Sequence, residues 1–197
     1  MFSNSASEVG ANISNAVHVL KETYKNLNKL FSELDRVGEV HGFNSITPKF
    51  LRWKSDSNPE GWLTSNFIKL YQQEGNTPLK HLPNMFDEDV FGIEVDLEGE
   101  ENFPVISIVK FKFDFAIWTR TPATSDHSIF WDPFRNERFF TITKENELWT
   151  SQSTAIGKSR YWGLEKAVAI GIPLLAVNSP EDISEKIFEK MKLLEIN

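Results

Sequence analysis

The chain has 197 residues, 40 % apolar and 13 % aromatic, with 16 Phe and 6 Trp. That is enough to fill a core, so global disorder is excluded and a single domain spanning 1–197 is expected. A net charge of −7 disfavours nucleic acid and anionic membranes as partners, and the absence of cysteine removes disulfides, thiol nucleophiles and thiolate metal sites.

In the first 37 residues, Ile13, Val17, Leu20, Tyr24, Leu27, Phe31 and Leu34 are spaced 4-3-4-3-4-3, one face of a helix over 12–37 that Gly38 should close. Such a helix is about 39 Å long, against a radius of gyration of about 16 Å for a globule of this size. Its stripe must therefore be covered. The core positions Val17, Tyr24 and Phe31 are partly aromatic, and the flanking positions carry almost no charge code. Burial within its own chain is the expectation, with a homodimer seam as the alternative.

Phe50 to Lys54 alternates apolar and basic residues like a short strand. Asn58-Pro59 then reads as an N-cap with proline at N1. Trp62, Leu63, Phe67, Leu70 and Tyr71 follow at helical spacing, so 59–74 is expected to be helix, with a strand as the competing reading.

From Val90 to Leu97, the residues Phe91, Ile93, Val95 and Leu97 alternate with Gly92, Glu94 and Asp96, a strand with one wet face. After a turn at 98–102, Val105 to Phe115 supplies the second strand of a hairpin, with Lys110, Lys112 and Asp114 on the outer parity. Thr119 to Arg138 is irregular and aromatic, a loop either packed on the core or functional. A second hairpin turns at Lys144-Glu145-Asn146. Ser159 should cap a helix over 160–170 that Gly171 ends, before a short strand at 172–177. Ser179-Pro180-Glu181-Asp182 opens the last helix, 180–194, with Ile183, Ile187, Met191 and Leu194 as its stripe.

No catalytic motif is intact. Gly157-Lys158-Ser159 resembles the end of a phosphate-binding loop, but Gln152 stands where that loop needs glycine. The acids Asp87, Glu88, Asp89, Glu94, Asp96, Glu98, Glu100 and Glu101 read chiefly as a solvated face, and no two histidines have ligand spacing. Asp126-His127-Ser128 is no triad, because adjacent loop residues point apart.

The expected fold is α+β, a mainly antiparallel sheet of five or six strands packed by the long N-terminal helix and the C-terminal helix, with the mixed sheet and helices lying within 50–178. The opening MFSNSASEVG lacks a secretory pattern, and the longest apolar run, Ala167 to Val177, is about half a membrane span. A cytoplasmic location without membrane contact is expected. The preferred function is a non-catalytic protein-interaction or regulatory module that binds a protein partner or a second copy, with Trp118, Phe130, Trp131 and Phe134 as contact residues. No cofactor and no metal are expected under that reading. The alternative is a metal-dependent hydrolase or nuclease using the carboxylate pair Glu94 and Asp96 with Lys110 or Lys112.

Overall fold

A period of 3.6 at both ends of the chain and a period of 2 between them place helices around a sheet. The computed structural model describes residues 3–47, 49–75, 77–99 and 103–196. Among these lie nine strands: β1 (Phe43–Ser45), β2 (Asn66–Gln73), β3 (Pro78–Leu79), β4 (Leu82–Phe86), β5 (Val90–Asp96), β6 (Val105–Phe113), β7 (Phe140–Glu145), β8 (Leu148–Ser153) and β9 (Leu164–Pro173). β3 and β4 form a side hairpin, and the other seven make one antiparallel sheet in the order β1-β2-β5-β6-β9-β8-β7. The α+β class with its two packing helical segments is as expected, and the sheet is wider by at least one strand.

The N-terminal helix α1 runs Ser3–Val40, longer at both ends than 12–37. Gly38 does not end it. The chain turns at Gly42, whose φ of +81° is the left-handed value a helix exit favours. Gly38 has a different duty: a Cβ there would stand 2.9 Å from the ring of Phe188, so its absence lets the two helical segments meet.

Leu27, Phe31, Leu34 and Val37 are buried on the first face of the sheet, against Phe67, Tyr71, Phe91, Ile93, Ile106 and Ile108. Asp35 sets the register, accepting a 2.9 Å hydrogen bond from the Tyr71 hydroxyl and pairing at 2.9 Å with the buried Lys69 ammonium. Burial does not reach the whole stripe. Ile13 is 62 % exposed and Val17 46 %, so the first half of α1 stands clear of the sheet.

Two short helices, α2 (His127–Trp131) and α3 (Ala155–Arg160), precede the C-terminal segment, which comprises α4 (Pro180–Ile183), a π-helical turn (Ser184–Phe188) and α5 (Glu189–Leu193). Ser179 caps it, accepting from the Asp182 amide at 3.1 Å. Its stripe Ile183, Ile187, Met191 and Leu194 is fully buried, and the π turn adds Phe188 to the same face.

Three expectations are corrected. The stretch 59–74 is a single 3₁₀ turn, Pro59–Trp62, followed by β2, so the competing strand reading holds. Phe50 to Lys54 forms no strand beyond one bridge, Leu51 to Ile68. The helix expected at 160–170 and the strand at 172–177 are replaced by β9, with Gly171 inside it. β2 and the stretch 167–169 of β9 are buried on both faces. Their apolar residues therefore run consecutively rather than alternating, and the period that marks a strand is lost.

Candidate functional site

The side chains of β5 alternate as expected, but the polar parity does not face water. Gly92, Glu94 and Asp96 point to the second face of the sheet, which the segment 114–139 covers. Trp118 and Phe130, expected as contact residues, are 2 % and 1 % exposed; they are core, packed on Phe111 and Phe113. The indole N–H of Trp118 donates to the Trp162 carbonyl at 2.9 Å, and the Ser151 hydroxyl donates to the Pro133 carbonyl at 2.5 Å, which ties the segment down over β8.

This cover is partial. Across the second face the register aligns Glu94 with Ser107 and Ser107 with Gly171, while Ala169 lies beside Trp149. At one end of the face stand Phe111, Phe113, Ala167 and Phe140 beneath the aromatic cover. At the other end β6 and β9 carry Val105, Ser107, Ala169, Gly171 and Pro173, and above these lies an open cleft of about 570 Å³. A Cβ added at Gly171 would meet nothing within 4 Å, which marks it as bare floor. Glu94, Asp96 and Arg135 form one wall, Trp149 and Lys144 the opposite one, with Phe134 above and the hairpin turn Asn146-Glu147 alongside.

A hydrogen-bonded chain stands behind the acidic wall. Arg135 places Nη2 2.8 Å from Glu94 Oε1 and 3.6 Å from Asp96 Oδ2, and its guanidinium lies 4.6 Å from the Trp131 ring centre. Asn66 Nδ2 donates to Glu94 Oε1 at 2.5 Å, and Asn66 Oδ1 is 2.6 Å from His127 Nε2. Since Asn66 uses its amide N–H on Glu94, its oxygen faces the imidazole, and His127 Nε2 carries the proton. Burial pushes the Glu94 carboxyl above its ordinary range, against the opposing pull of Arg135 and Asn66. Burial, reinforced by the Arg135 charge, pushes the His127 imidazole down to about 4. Both shifts follow from taking ionisable groups out of water.

The four candidates of the hydrolase alternative do not converge. Glu94 pairs with Ser107 on the second face, whereas Lys110 pairs with Phe91 on the first; Lys112 shares the parity of Lys110. Lys110 instead donates to the Leu194 carbonyl at 3.1 Å and pairs with Asp89 at 3.2 Å. Glu94 is 3 % exposed, so the solvated acidic face is corrected at this residue. Asp96 Oδ1 accepts from the Glu98 and Gly99 amides, and Glu100 and Glu101 lie outside the described residues. Among the described residues no group of three or more His, Asp or Glu side chains is gathered as a metal site, and no helix is long and apolar enough to cross a membrane.

The phosphate-loop lookalike resolves into packing. Thr154, not Ser159, caps α3, accepting from the Gly157 amide at 3.0 Å. Lys158 pairs with Glu165 at 2.7 Å and with Asp114 at 3.3 Å. In the string Asp126-His127-Ser128 the acid is held by Arg120 and the imidazole by Asn66.

Of the expected contact residues, only Trp131 and Phe134 stand at the cleft, Trp131 through Arg135 and Phe134 directly. Taken singly, Asn66, Arg135, Lys144 and Trp149 carry no sequence signal of a site, and His127 is met there only within the rejected string Asp126-His127-Ser128. One signal was there: an aromatic segment must be buried somewhere, and the polar parity of β5 lies on a face with room for it. Comparison with protein-family models, with curated proteins and with solved structures finds no match to this chain.

Proposed function

We propose that this protein is a non-catalytic interaction module whose cleft receives a segment of a partner polypeptide. The supporting observation is the contrast between wall and floor. Glu94, Asn66, His127 and Arg135 satisfy one another, while Ser107 and Gly171 leave a strip of sheet open to the cleft. A general base or nucleophile has to be presented toward a substrate; these groups are turned toward each other. The cleft falls in the usual range of about 300–1,000 Å³ for a binding pocket. A peptide array probed with the wild type and with Gly171→Leu tests the reading. The substitution projects from a position where a Cβ meets nothing within 4 Å, so the variant should keep its melting temperature and lose the peptides the wild type captures. An array on which nothing binds, or on which both proteins bind alike, overturns it.

The second reading rests on α1. Its first half exposes Val9, Ile13 and Val17, and its Ser and Asn residues are poor helix formers. The stripe has its smallest residue, Ala6, at one end and Leu20 at the other, with Val9, Ile13 and Val17 between. Two such helices laid antiparallel about Ile13 set Ala6 against Leu20 and Val9 against Val17, so each bulky residue meets a smaller or equal one. A second copy of the chain therefore fits this surface in an isologous pair. Sedimentation equilibrium should give a dimer that Ile13→Asp converts to monomer; a monomeric wild type at tens of micromolar overturns the pairing.

A further inference from the structure

The wall of the cleft opposite Glu94 is an aromatic face with a cation already on it. Lys144 and Trp149 are cross-strand partners in the β7–β8 hairpin, and the Lys144 ammonium stands 4.4 Å from the Trp149 ring centre. An ammonium at that range is attracted by the ring quadrupole. Three inter-strand steps separate β5 from β8, so the cleft is about 14 Å wide at the level of the backbone. Across that gap stand two carboxylates, Glu94 and Asp96, with one guanidinium between them, and Glu147 adds a third acid at the hairpin turn. The lining thus carries three acids and two bases, and one of those bases is the lysine on the ring.

Resting on the reading of the cleft as a polypeptide site, we infer that its specificity is for a basic side chain, Lys or Arg. That side chain replaces Lys144 on the face of Trp149, under the negative potential of Asp96 and Glu147. Lys144 is then an internal stand-in for the ligand, a short-range competitor that the partner displaces. The molecule's net charge of −7 favours encounter with such a partner. An acidic partner would use the same residues with the opposite logic, because Lys144 would then be its anchor. Removing Lys144 therefore has opposite signs under the two alternatives.

The test is a titration of the Trp149 indole NMR signal with Gly/Ser heptapeptides carrying a central Lys, Arg, norleucine or Glu. The Lys and Arg peptides bind, and the norleucine and Glu peptides bind at least several-fold more weakly. Lys144→Ala tightens binding of the Lys peptide about two- to five-fold, the value of an exposed cation–π contact. Trp149→Leu abolishes binding; since this variant has no indole at 149, it is followed by the backbone amide of Gly171. Gly171→Leu abolishes binding as well. Weaker binding after Lys144→Ala, or a norleucine or Glu peptide that binds as well as Lys and is blocked by Gly171→Leu, overturns the charge assignment and leaves the cleft reading standing. No binding by any peptide overturns both.

Discussion

Arg135 Nη2 lies 2.8 Å from Glu94 Oε1, so a cation from the irregular segment after α2 is fixed to a carboxylate that the sheet buries. This one pair joins the cover of the second face to the middle of β5. Removing the cation alone leaves a buried carboxylate without its counter-charge, and breaking such a pair costs about 3–5 kcal/mol. Arg135→Met should lower stability by that order in urea denaturation. Glu94→Gln, which keeps the shape and removes the charge, should cost less.

The His127 imidazole gives a pH dependence of definite sign. Its native pKa is about 4, below the usual 6.5 or so of an unfolded histidine. As pH falls through 6.5 the unfolded chain takes up a proton that the native state refuses, so stability declines down to about pH 4 and then levels. The loss from this group is at most about 3 kcal/mol. Glu94 acts in the opposite direction, because its raised pKa makes the native state gain a proton first on acidification. His127→Gln should flatten the stability profile between pH 6.5 and 4; an unchanged slope would exclude His127 as its source.

The two halves of α1 should respond differently to truncation. Leu34 is fully buried, and Leu34→Ala should cost about 2–5 kcal/mol, as large-to-small core changes do. Ile13→Ala should leave the unfolding free energy of the monomer within about 0.5 kcal/mol. Chemical denaturation at low protein concentration reads both without interference from self-association.

At α3 the order of effects runs Thr154 above Ser159. Thr154→Ala removes a cap and should cost about 1 kcal/mol, whereas Ser159→Ala should be nearly silent in a thermal melt. Gly157→Ala should be worse than either, since a Cβ there would stand 2.2 Å from the Phe139 carbonyl oxygen.

What could be read from the sequence follows from which elements keep a free face. The buried half of α1, the β5–β6 and β7–β8 hairpins and the Ser179 cap each show a local period or a local signature, and each stands where its residues say. β9 is different. Ala167, Val168 and Ala169 are buried on both parities and the apolar run continues to Ile170, so it reads as a helix as easily as a strand. The site suffers a second loss. Asn66, Glu94 and the pair His127 and Arg135 come from three separate segments, and only the closed sheet brings them together. Glu94 itself was visible as a candidate, but with solvent expected over it.

The ladder between β6 and β9 has a kinetic consequence. Every other pairing in the large sheet closes a loop about half as long or shorter, while Phe113 meets Leu164 only after a loop of about 50 residues closes, an entropic cost of about 3.5 kcal/mol. Hairpins form in microseconds and such a closure waits for them. The topology thus divides the large sheet into two locally connected halves, β1 to β6 and β7 to β9, joined through the β6–β9 ladder. Ser107 and Gly171 face each other across that seam. The floor of the cleft spans that seam, so it exists only where both halves of the sheet are joined.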